Sequence, residues 1–520
     1  MKFEIRKMGI ALCLLIFLGG MILHTFAGDS GFVCGHAWGN DDAYISYQYS
    51  RNLVEGKGLV FNPGERVEGY SNFLYVLLMA PAIWAVGKDG VYFFAVFLNL
   101  LCALGAFWVF SSHLRRKLGE WNAIAGSLLF ALCLPVWIAV ASGMETSLVL
   151  LLSLATWVTV DRLAEDPAPR DVNLLCALSV VSLLVRADGF VVPGLAILFL
   201  LLKRRRRAAM QCGLAVVATF GAFEAWRYHY YGYLFPNTYY VKVAGPLGGR
   251  LIHALDQLGK VSFVTGLLAY LLVYVFATAD AGKRVARGQS RFLDELRFDI
   301  LLAWGWIAYW FYIGGDHFLE RFLLLLYPLG IFAMLKYLEG HASPKALAWV
   351  VAFLAILQVG PSLEVDRRFN YTFEKYDCWV TLGKFLGSQY PHRTLATDAI
   401  GKTPFFSGLY TMDMLGLVDP VIAHGRVATQ DFDPGHTKYD PDYLLARKPD
   451  LITDWISSTL DLEYGLTRSK YQAAGYRIAY LVRTERANPF GDVVDVSGFD
   501  EKALRDLVDK DYKYAVLIRK

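Results

Sequence analysis

Two adjacent carboxylates, Asp41 and Asp42, follow Asn40 in the stretch HAWGNDDAYISYQYSRNLVEGKGLVFNPGERVEGYSN, residues 36–72. The pattern predicts an amphipathic helix that begins at the acids and ends at Gly56 or Gly58. Acids in that position cap the first turn and complement its dipole. One of them, held ionised, is also placed to accept a proton from an acceptor hydroxyl. For an isolated Asx-Asp pair, capping is the ordinary reading. Capping and proton transfer are compatible, so the question is what else gathers near the pair.

Four other short stretches carry polar groups at the edges of apolar runs. SGMET places Glu145 at a helix start, LVRADG puts Arg186 and Asp188 in a tight turn, and YHYYGYLFPNTYYVKV brings tyrosines, His229, Asn237 and Lys242 together. GGDHFLERF adds Asp316, His317, Glu320 and Arg321. Each has a structural explanation of its own: DG is a turn pair, arginine at a membrane edge extends its head to water, and tyrosine-rich loops form interfacial belts. Together they make a ceiling of cations and carboxylates, and charges at membrane depth are costly unless used.

The elements that must position these groups follow from composition. The chain has 520 residues, 55% hydrophobic and 19% charged, with a mean hydropathy of +0.37. These values belong to multi-pass membrane proteins. A net charge of +4, scattered along the chain, gives no footing for nucleic acid. The seven cysteines include no CxxC pair. Five lie in apolar runs, and Cys34 and Cys378, in polar segments, are read as unpaired small residues, although an oxidising compartment would let them pair.

Lys and Arg in short loops mark the cytoplasmic side. HLRRKLG (113–119), KRRRR (203–207) and AGKRVARGQSR (281–291) are assigned inside. Spans are then expected near 90–112, 121–141, 146–162, 172–187, 189–202, 208–228, 262–278, 298–314, 321–338 and 345–360. With an uncleaved amino-terminal anchor near 8–28, this gives about eleven transmembrane helices. The apolar stretch 71–87 would break the charge rule if it crossed, so it is read as a helix at the outer interface, which its Pro81 permits. Loops 29–89 and 229–261 and everything after Pro361 then lie outside. The expected architecture is a transmembrane domain over residues 1–360 and a soluble α/β domain over 361–520 on the periplasmic side of the cytoplasmic membrane. In the latter, EKYDCWVTLGKFLGSQY reads as helix, and RTLATD, PDLIT, YRIAYLV and KYAVLIRK read as strands.

An enzyme on that face has no nucleotide sugar to draw on, and no GxGxxG, P-loop or HExxH motif occurs. A polyprenyl-phosphate sugar delivered by the bilayer meets the need. Its tail lies among membrane lipids and spans, its phosphate calls for Arg or Lys, and the cations stabilise charge on the departing phosphate. No cofactor is demanded. An Asp-rich loop leaves room for a divalent metal, although no EF-hand pattern appears. Adjacent carboxylates do not fix the stereochemical course. A transporter would carry its charges at mid-membrane and show two related halves; a scaffold would leave the outer carboxylates idle.

The stretch DDAYISYQYSRNLVEGKGLVFNPGERVEGYSNFLY, with SGMETSL, LVRADG, FPNTYY, GGDHFLERFLLLLYP, ATDAIGKTPFFSG, DMLGLVDP and GHTKYDPDYLLARKPD, resembles the bacterial C-type (GT-C) integral-membrane glycosyltransferases. Within them it is most similar to the AftB-type terminal arabinofuranosyltransferases of mycobacteria and the related pilin arabinosyltransferases. The likeness runs from about residue 38 to about residue 450. It implies a catalytic acid in the first outer loop, Asp41 with Asp42 as alternative or partner. The acid often begins an Asp-Glu pair in that family, and here the pair is Asp-Asp. The resemblance further implies transfer of D-arabinofuranose from a polyprenyl-phosphate donor to an envelope polysaccharide, a lipid-linked glycan or a pilin-like protein. A mannose-type transferase is the alternative. Arg186, Lys242 and Arg321 are the candidates for donor phosphate. Glu145, Asp188, Asp316 and His317 would shape the sugar pocket or orient those cations. Asp398, Lys402, His436 and Lys438 fall in recurring motifs and would border the acceptor entrance, with turn and surface roles as the alternative.

Overall fold

The structure, a computed structural model, describes residues 2–26, 38–316, 319–339, 343–367, 377–429, 432–484 and 492–519. Five of its helices are long and apolar enough to cross a membrane: Met8–Thr25, Phe73–Ala131, Thr146–Glu165, Arg206–Tyr231 and Arg321–Leu338. The helices Leu247–Thr265 and Leu267–Ala286, bent by 110° at their junction, would make a sixth if taken as one broken span. Several stretches expected to be spans are shorter or interrupted. Val191–Leu202, Phe298–Ile313 and Lys345–Val359 are apolar but short, and the expected 121–141 span is split where Ala131 gives way to Leu134–Ala141.

The 59-residue run Phe73–Ala131 is not one rod. Gly87 (φ 72°, ψ −179°) and Gly119 (φ 78°, ψ 178°) leave helical geometry, in a region that residues with a Cβ scarcely enter. The stretch 71–87 is therefore a separate helical piece with Pro81 inside it and Trp84 79% exposed. The expected outer loop 229–261 is largely helical, containing Asn237–Lys242 and Leu247–Thr265. Its glycines at 248, 249 and 259 hide that helix from a propensity argument. Leu251, Ile252 and Leu255 are exposed on it, an apolar face turned away from the protein.

The basic loops meet at one end of the bundle. Lys117 pairs with Glu165, Arg205 donates to Ala164 O at 2.7 Å, and Lys203 donates to Leu293 O. The segments carrying the ceiling residues meet at the other end, beside the carboxy-terminal domain, which the sequence reading places outside and which is called the outer domain for that reason. That domain has a six-stranded sheet: β1 (Thr394–Thr397), β2 (Tyr410–Asp413), β3 (Leu451–Trp455), β4 (Tyr476–Val482), β5 (Val493–Asp495) and β6 (Tyr514–Arg519). The order is β2-β1-β3-β6-β4-β5. β1 runs parallel to β2 and β3, and the remaining pairings are antiparallel. Strand alternation divides the core, with Ala515 and Leu517 of β6 on one face and Tyr514 and Val516 on the other. β2 and β5, three to four residues each, were not read as strands from the sequence, although β1 is no longer than β2. Helix Pro344–Arg367 runs through the expected domain boundary at Pro361.

The first loop seats the outer domain. Asn62 grips the edge strand β2 through two bonds, Nδ2 to Thr411 O (2.8 Å) and Thr411 N to Oδ1 (3.1 Å). Edge N–H and C=O groups are thereby satisfied by a side-chain amide. Tyr410 donates to Glu65, and Arg51 donates to Phe405 O at 3.0 Å. Cys378, expected to be unpaired, is disulfide-bonded, as an oxidising compartment permits. Cys13, Cys102, Cys133, Cys176 and Cys212 are free, and Cys34 lies outside the described residues.

Candidate functional site

The expected amphipathic helix is Asp41–Val54, with Asn40 in extended conformation before it and Gly56 at φ 74° just past its end. Asn40 makes no side-chain cap bond. Asp41 does not cap its own helix either. Its Oδ2 accepts from Gly401 N (2.8 Å) and its Oδ1 from Lys402 N (2.7 Å), both in the loop that follows β1. Burial raises the Asp41 carboxyl to about 6, against the lowering effect of those N–H groups and the Lys402 charge. It remains partly exposed. A carboxylate that is ionised near neutral pH and fixed at both oxygens suits a general base.

Asp42 turns to the bundle. Its Oδ2 lies 3.4 Å from Lys242 Nζ and 3.9 Å from Arg321 Nη1. Both cations also face Asp316, Lys242 at 3.9 Å from Oδ1 and Arg321 Nη2 at 2.6 Å from Oδ2. Two cations and two carboxylates thus form a neutral quartet drawn from three separate segments, GGDHFLERF supplying both Asp316 and Arg321. Lys242 closes the short helix Asn237–Lys242, whose start is tied to the first loop by Asn237 N donating to Glu68 O at 2.9 Å. Asp316 follows Gly314 and Gly315, both at positive φ, where helix Phe298–Ile313 ends. Arg321 Nη1 also reaches Met144 Sδ at 3.3 Å.

A second network lies alongside. Arg186 is saturated by carboxylates: Nε to Asp188 Oδ1 (2.8 Å), Nη2 to Asp188 Oδ2 (3.0 Å) and Nη1 to Glu145 Oε1 (2.7 Å). Burial lowers the Arg186 pKa, and these two acids more than offset it, leaving the guanidinium above its ordinary value. Burial likewise raises Asp188, and Arg186 outweighs it, so that carboxyl stays below its ordinary value. Glu145 accepts from Asn72 (2.7 Å), Asn72 from Ser46 (2.9 Å) on the helix carrying the acids, and Tyr309 donates to Asp188 at 3.2 Å. The chain Ser46–Asn72–Glu145–Arg186–Asp188–Tyr309 joins the first loop to three other segments. The Arg186 guanidinium is thus fully compensated by Glu145 and Asp188.

The four residues expected at the acceptor entrance are placed differently from one another. Lys402 is fully buried, its Nζ on Gly39 O (2.6 Å) and Asp377 Oδ2 (2.7 Å), and Lys438 is 8% exposed, its Nζ on Ala423 O (2.6 Å). Neither ammonium can border an entrance, because each is spent on an interior partner. Asp398, just past β1, accepts from Tyr514, and burial raises its carboxyl to about 7. His436 is partly exposed, 3.8 Å from Asp433 and stacked on Tyr464. His317 lies outside the described residues, and His229 is exposed. Among the described residues, no three His, Cys, Asp or Glu side chains converge as a metal site would require. Sequence reasoning missed Asp377, Gly401, Asn72, Ser46 and Met144. Gly401, Ser46, Asn72 and Met144 stood inside the quoted motifs and Asp377 inside the stretch read as helix, but nothing local marked the contacts they make.

The chain as a whole is similar to several known proteins. The chain is 27% identical over 367 residues to a terminal β-(1→2)-arabinofuranosyltransferase of Mycobacterium tuberculosis, covering 62% of this chain and 57% of the relative. It is 25% identical over 405 residues to a protein of the same name from Corynebacterium glutamicum, covering 70% and 58%. The chain thus spans somewhat under three fifths of the length of these curated relatives. ArnT from Cupriavidus metallidurans, solved with undecaprenyl phosphate bound, shares the fold at a TM-score of 0.54 and 11% identity, over 98% of this chain and 97% of that one. The model of a domain of unknown function, DUF8728, matches residues 368–514. The chain therefore has the fold of the GT-C membrane glycosyltransferases and curated homologues among the terminal arabinofuranosyltransferases.

Proposed function

We propose that this chain transfers a sugar, D-arabinofuranose first among the candidates, from a polyprenyl-phosphate donor to an envelope glycan or protein on the outer side of the cytoplasmic membrane. The observation that carries the reading is the division of labour within one pair. Asp41 is fixed by two N–H donors from the outer domain, and its neighbour Asp42 faces the two-cation pocket of Lys242 and Arg321. The likeness to terminal β-(1→2)-arabinofuranosyltransferases supports the sugar, and the undecaprenyl phosphate of the ArnT structure supports the lipid donor.

In this mechanism the donor phosphate meets Lys242 and Arg321, displacing part of their pairing with Asp42 and Asp316. Asp41 takes the proton of the acceptor hydroxyl as its oxygen bonds to the anomeric carbon. The bond to the phosphate oxygen breaks, and its electron pair leaves on the phosphate, whose charge the two cations stabilise. Arg186 holds the floor of the site by tying Glu145 and Asp188. The basic loops packed at the far end support a cytoplasmic assignment for that end. About eleven passes are kept, with split and short helices taken as passes beside the five or six long apolar ones.

The test uses purified protein in nanodiscs, with radiolabelled polyprenyl-phosphate arabinose and an envelope extract as acceptor. Transfer by wild type that is lost in a folded Asp41→Asn variant is the expected result. Transfer only from a polyprenyl-phosphate mannose would replace the sugar, and equal transfer by both proteins would move the chemistry away from Asp41.

A further inference from the structure

We propose that the outer domain completes the catalytic centre: Gly401 and Lys402, locked by the buried Lys402–Asp377 ion pair, form a positioning clamp for Asp41. This rests on the reading of Asp41 as the proton acceptor. The clamp is built from four bonds. Gly401 N and Lys402 N hold one oxygen each of Asp41 (2.8 and 2.7 Å), and Lys402 Nζ holds Gly39 O (2.6 Å) and Asp377 Oδ2 (2.7 Å). The backbone is thus gripped on both sides of Asn40, whose own N–H donates to Ser142 O at 2.9 Å.

Asp377 divides its oxygens. Oδ1 accepts from Trp379 N and Val380 N, both at 3.1 Å, and caps helix Cys378–Gln389, while Oδ2 faces Lys402. Both charged side chains are 0% exposed. A fully buried ion pair is poor value for stability alone, since desolvation can exceed the Coulombic gain. Its geometric consequence is specific: it holds the Lys402 backbone where its N–H meets Asp41. Gly401 answers the same need. Its φ of −83° is ordinary, yet a Cβ there would lie 1.9 Å from Asp41 O and 2.6 Å from Asp41 Cγ. At the far end of the same short helix, Arg51 Nη1 donates to Phe405 O (3.0 Å), so helix Lys402–Ser407 is tied to helix Asp41–Val54 at both ends.

With one N–H on each oxygen, rotating the Asp41 carboxylate breaks a bond, and the remaining lone pairs point where an acceptor hydroxyl can reach them. That is preorganisation of a base by a neighbouring domain. The charged and titratable groups near Asp41 are Lys402, which favours its ionised form, Asp42, which disfavours it, and Asp398 and Tyr44, whose own groups the Asp41 charge pushes up.

The experiment measures kcat and KM for the lipid-linked donor, and the pH profile of kcat/KM, in full-length Lys402→Met and Asp377→Asn in nanodiscs, with Asp41→Asn as reference. Asp377→Asn turns an amide NH2 toward the buried Lys402 ammonium, so each variant is first checked by thermal unfolding, and Lys402→Met, in which Asp377 keeps the helix cap through Oδ1, carries the test if Asp377→Asn does not fold. The expected result is a kcat at least about tenfold lower in both with donor KM unchanged. In Lys402→Met the acid limb moves to higher pH by on the order of half a unit, because a charge favouring ionised Asp41 is gone. A purely structural tie would lower the folded fraction and leave the acid limb in place. Wild-type kcat in Asp377→Asn, or an unmoved limb in a folded Lys402→Met, overturns the clamp while an inactive Asp41→Asn keeps Asp41 as base. An active Asp41→Asn would instead overturn the reading on which the clamp rests.

Discussion

Lys242 and Arg321 share two carboxylates, and the structure predicts that removing each has a different consequence. Lys242 has a side chain 27% exposed and reaches Asp42 and Asp316 at 3.4 and 3.9 Å. Arg321 is 9% exposed and lies 2.6 Å from Asp316, itself 3% exposed. Unit charges about 4 Å apart near a protein surface interact by ~4 kcal/mol. Discounting by about half for the partial exposure of Lys242 leaves ~1.5–2 kcal/mol of help to a phosphate. Lys242→Met should therefore lower kcat/KM for the donor by about ten- to thirtyfold. Because its resting pairs are partly solvated, the variant should lose no more than ~1 kcal/mol of stability. Arg321→Met removes the same kind of charge and also leaves buried Asp316 with Lys242 at 3.9 Å in place of its 2.6 Å partner, and breaking a buried pair costs ~3–5 kcal/mol. It should lose both activity and several degrees of melting temperature. The assay is donor-concentration dependence of radiolabel transfer in nanodiscs, paired with thermal unfolding of each variant. Wild-type kcat/KM in Lys242→Met, or an unchanged melting temperature in Arg321→Met, would refute the reasoning.

Three further outcomes follow from the same geometry. Asp41 is raised to about 6, and a base works only when ionised, so kcat/KM should fall as pH drops through about 6 and level off above it; a limb that survives unchanged to pH 4.5 would count against Asp41. Glu145→Ala removes the acid that Asn72 and Arg186 share, and should destabilise the bundle by ~2–4 kcal/mol in thermal unfolding, with Glu145→Gln milder because it retains a partner for Arg186. Asp454, fully buried with Oδ2 unpaired, has its carboxyl raised well above the ordinary value by burial, with Asp398 and Glu463 adding to it. The folded state holds that proton more tightly than the unfolded chain, so its stabilising share is present below the ordinary carboxyl range and is lost as pH rises. Asp454→Asn should abolish that loss, giving a melting temperature above wild type at pH 7.5 and little difference at pH 4.

What the sequence disclosed was governed by range. The helix after Asn40, the acids at its start and the turn at Gly56 are local patterns, and the structure has them at Asp41–Val54. Four strands of the outer domain were visible as apolar runs, whereas β2 and β5 were not, although β1 is no longer than β2. Lys402 stood out as a charged residue in a recurring motif, but a motif does not say which way an ammonium points. Its burial depends on Asp377 and Gly39, 25 and 363 residues away. Arg186 looked like a phosphate ligand because its two neutralising acids come from different segments, and only Asp188 is near it in the chain. The bend of 110° between Thr265 and Leu267 was likewise invisible to a hydropathy window, which averages across the glycine that makes it.

The adjacency of Asp41 and Asp42 carries information that capping alone would waste. Successive residues on an α-helix project about 100° apart, so two neighbouring acids cannot serve one partner. At this helix start the divergence sends Asp41 to the outer-domain loop at Gly401 and Asp42 to the cations at the end of the bundle. A single acid could face one side or the other. The pair bridges both, and so registers the outer domain and the membrane bundle against the same turn of helix. On this argument, exchanging the order of function is not neutral. An Asp42→Asn variant should keep the Asp41 bonds to Gly401 and Lys402 and lose the compensation of Lys242 and Arg321, so it should bind donor phosphate more tightly while Asp41→Asn does not. Equal donor affinity in the two variants, measured by titrating undecaprenyl phosphate, would mean that the two carboxylates are not divided in this way.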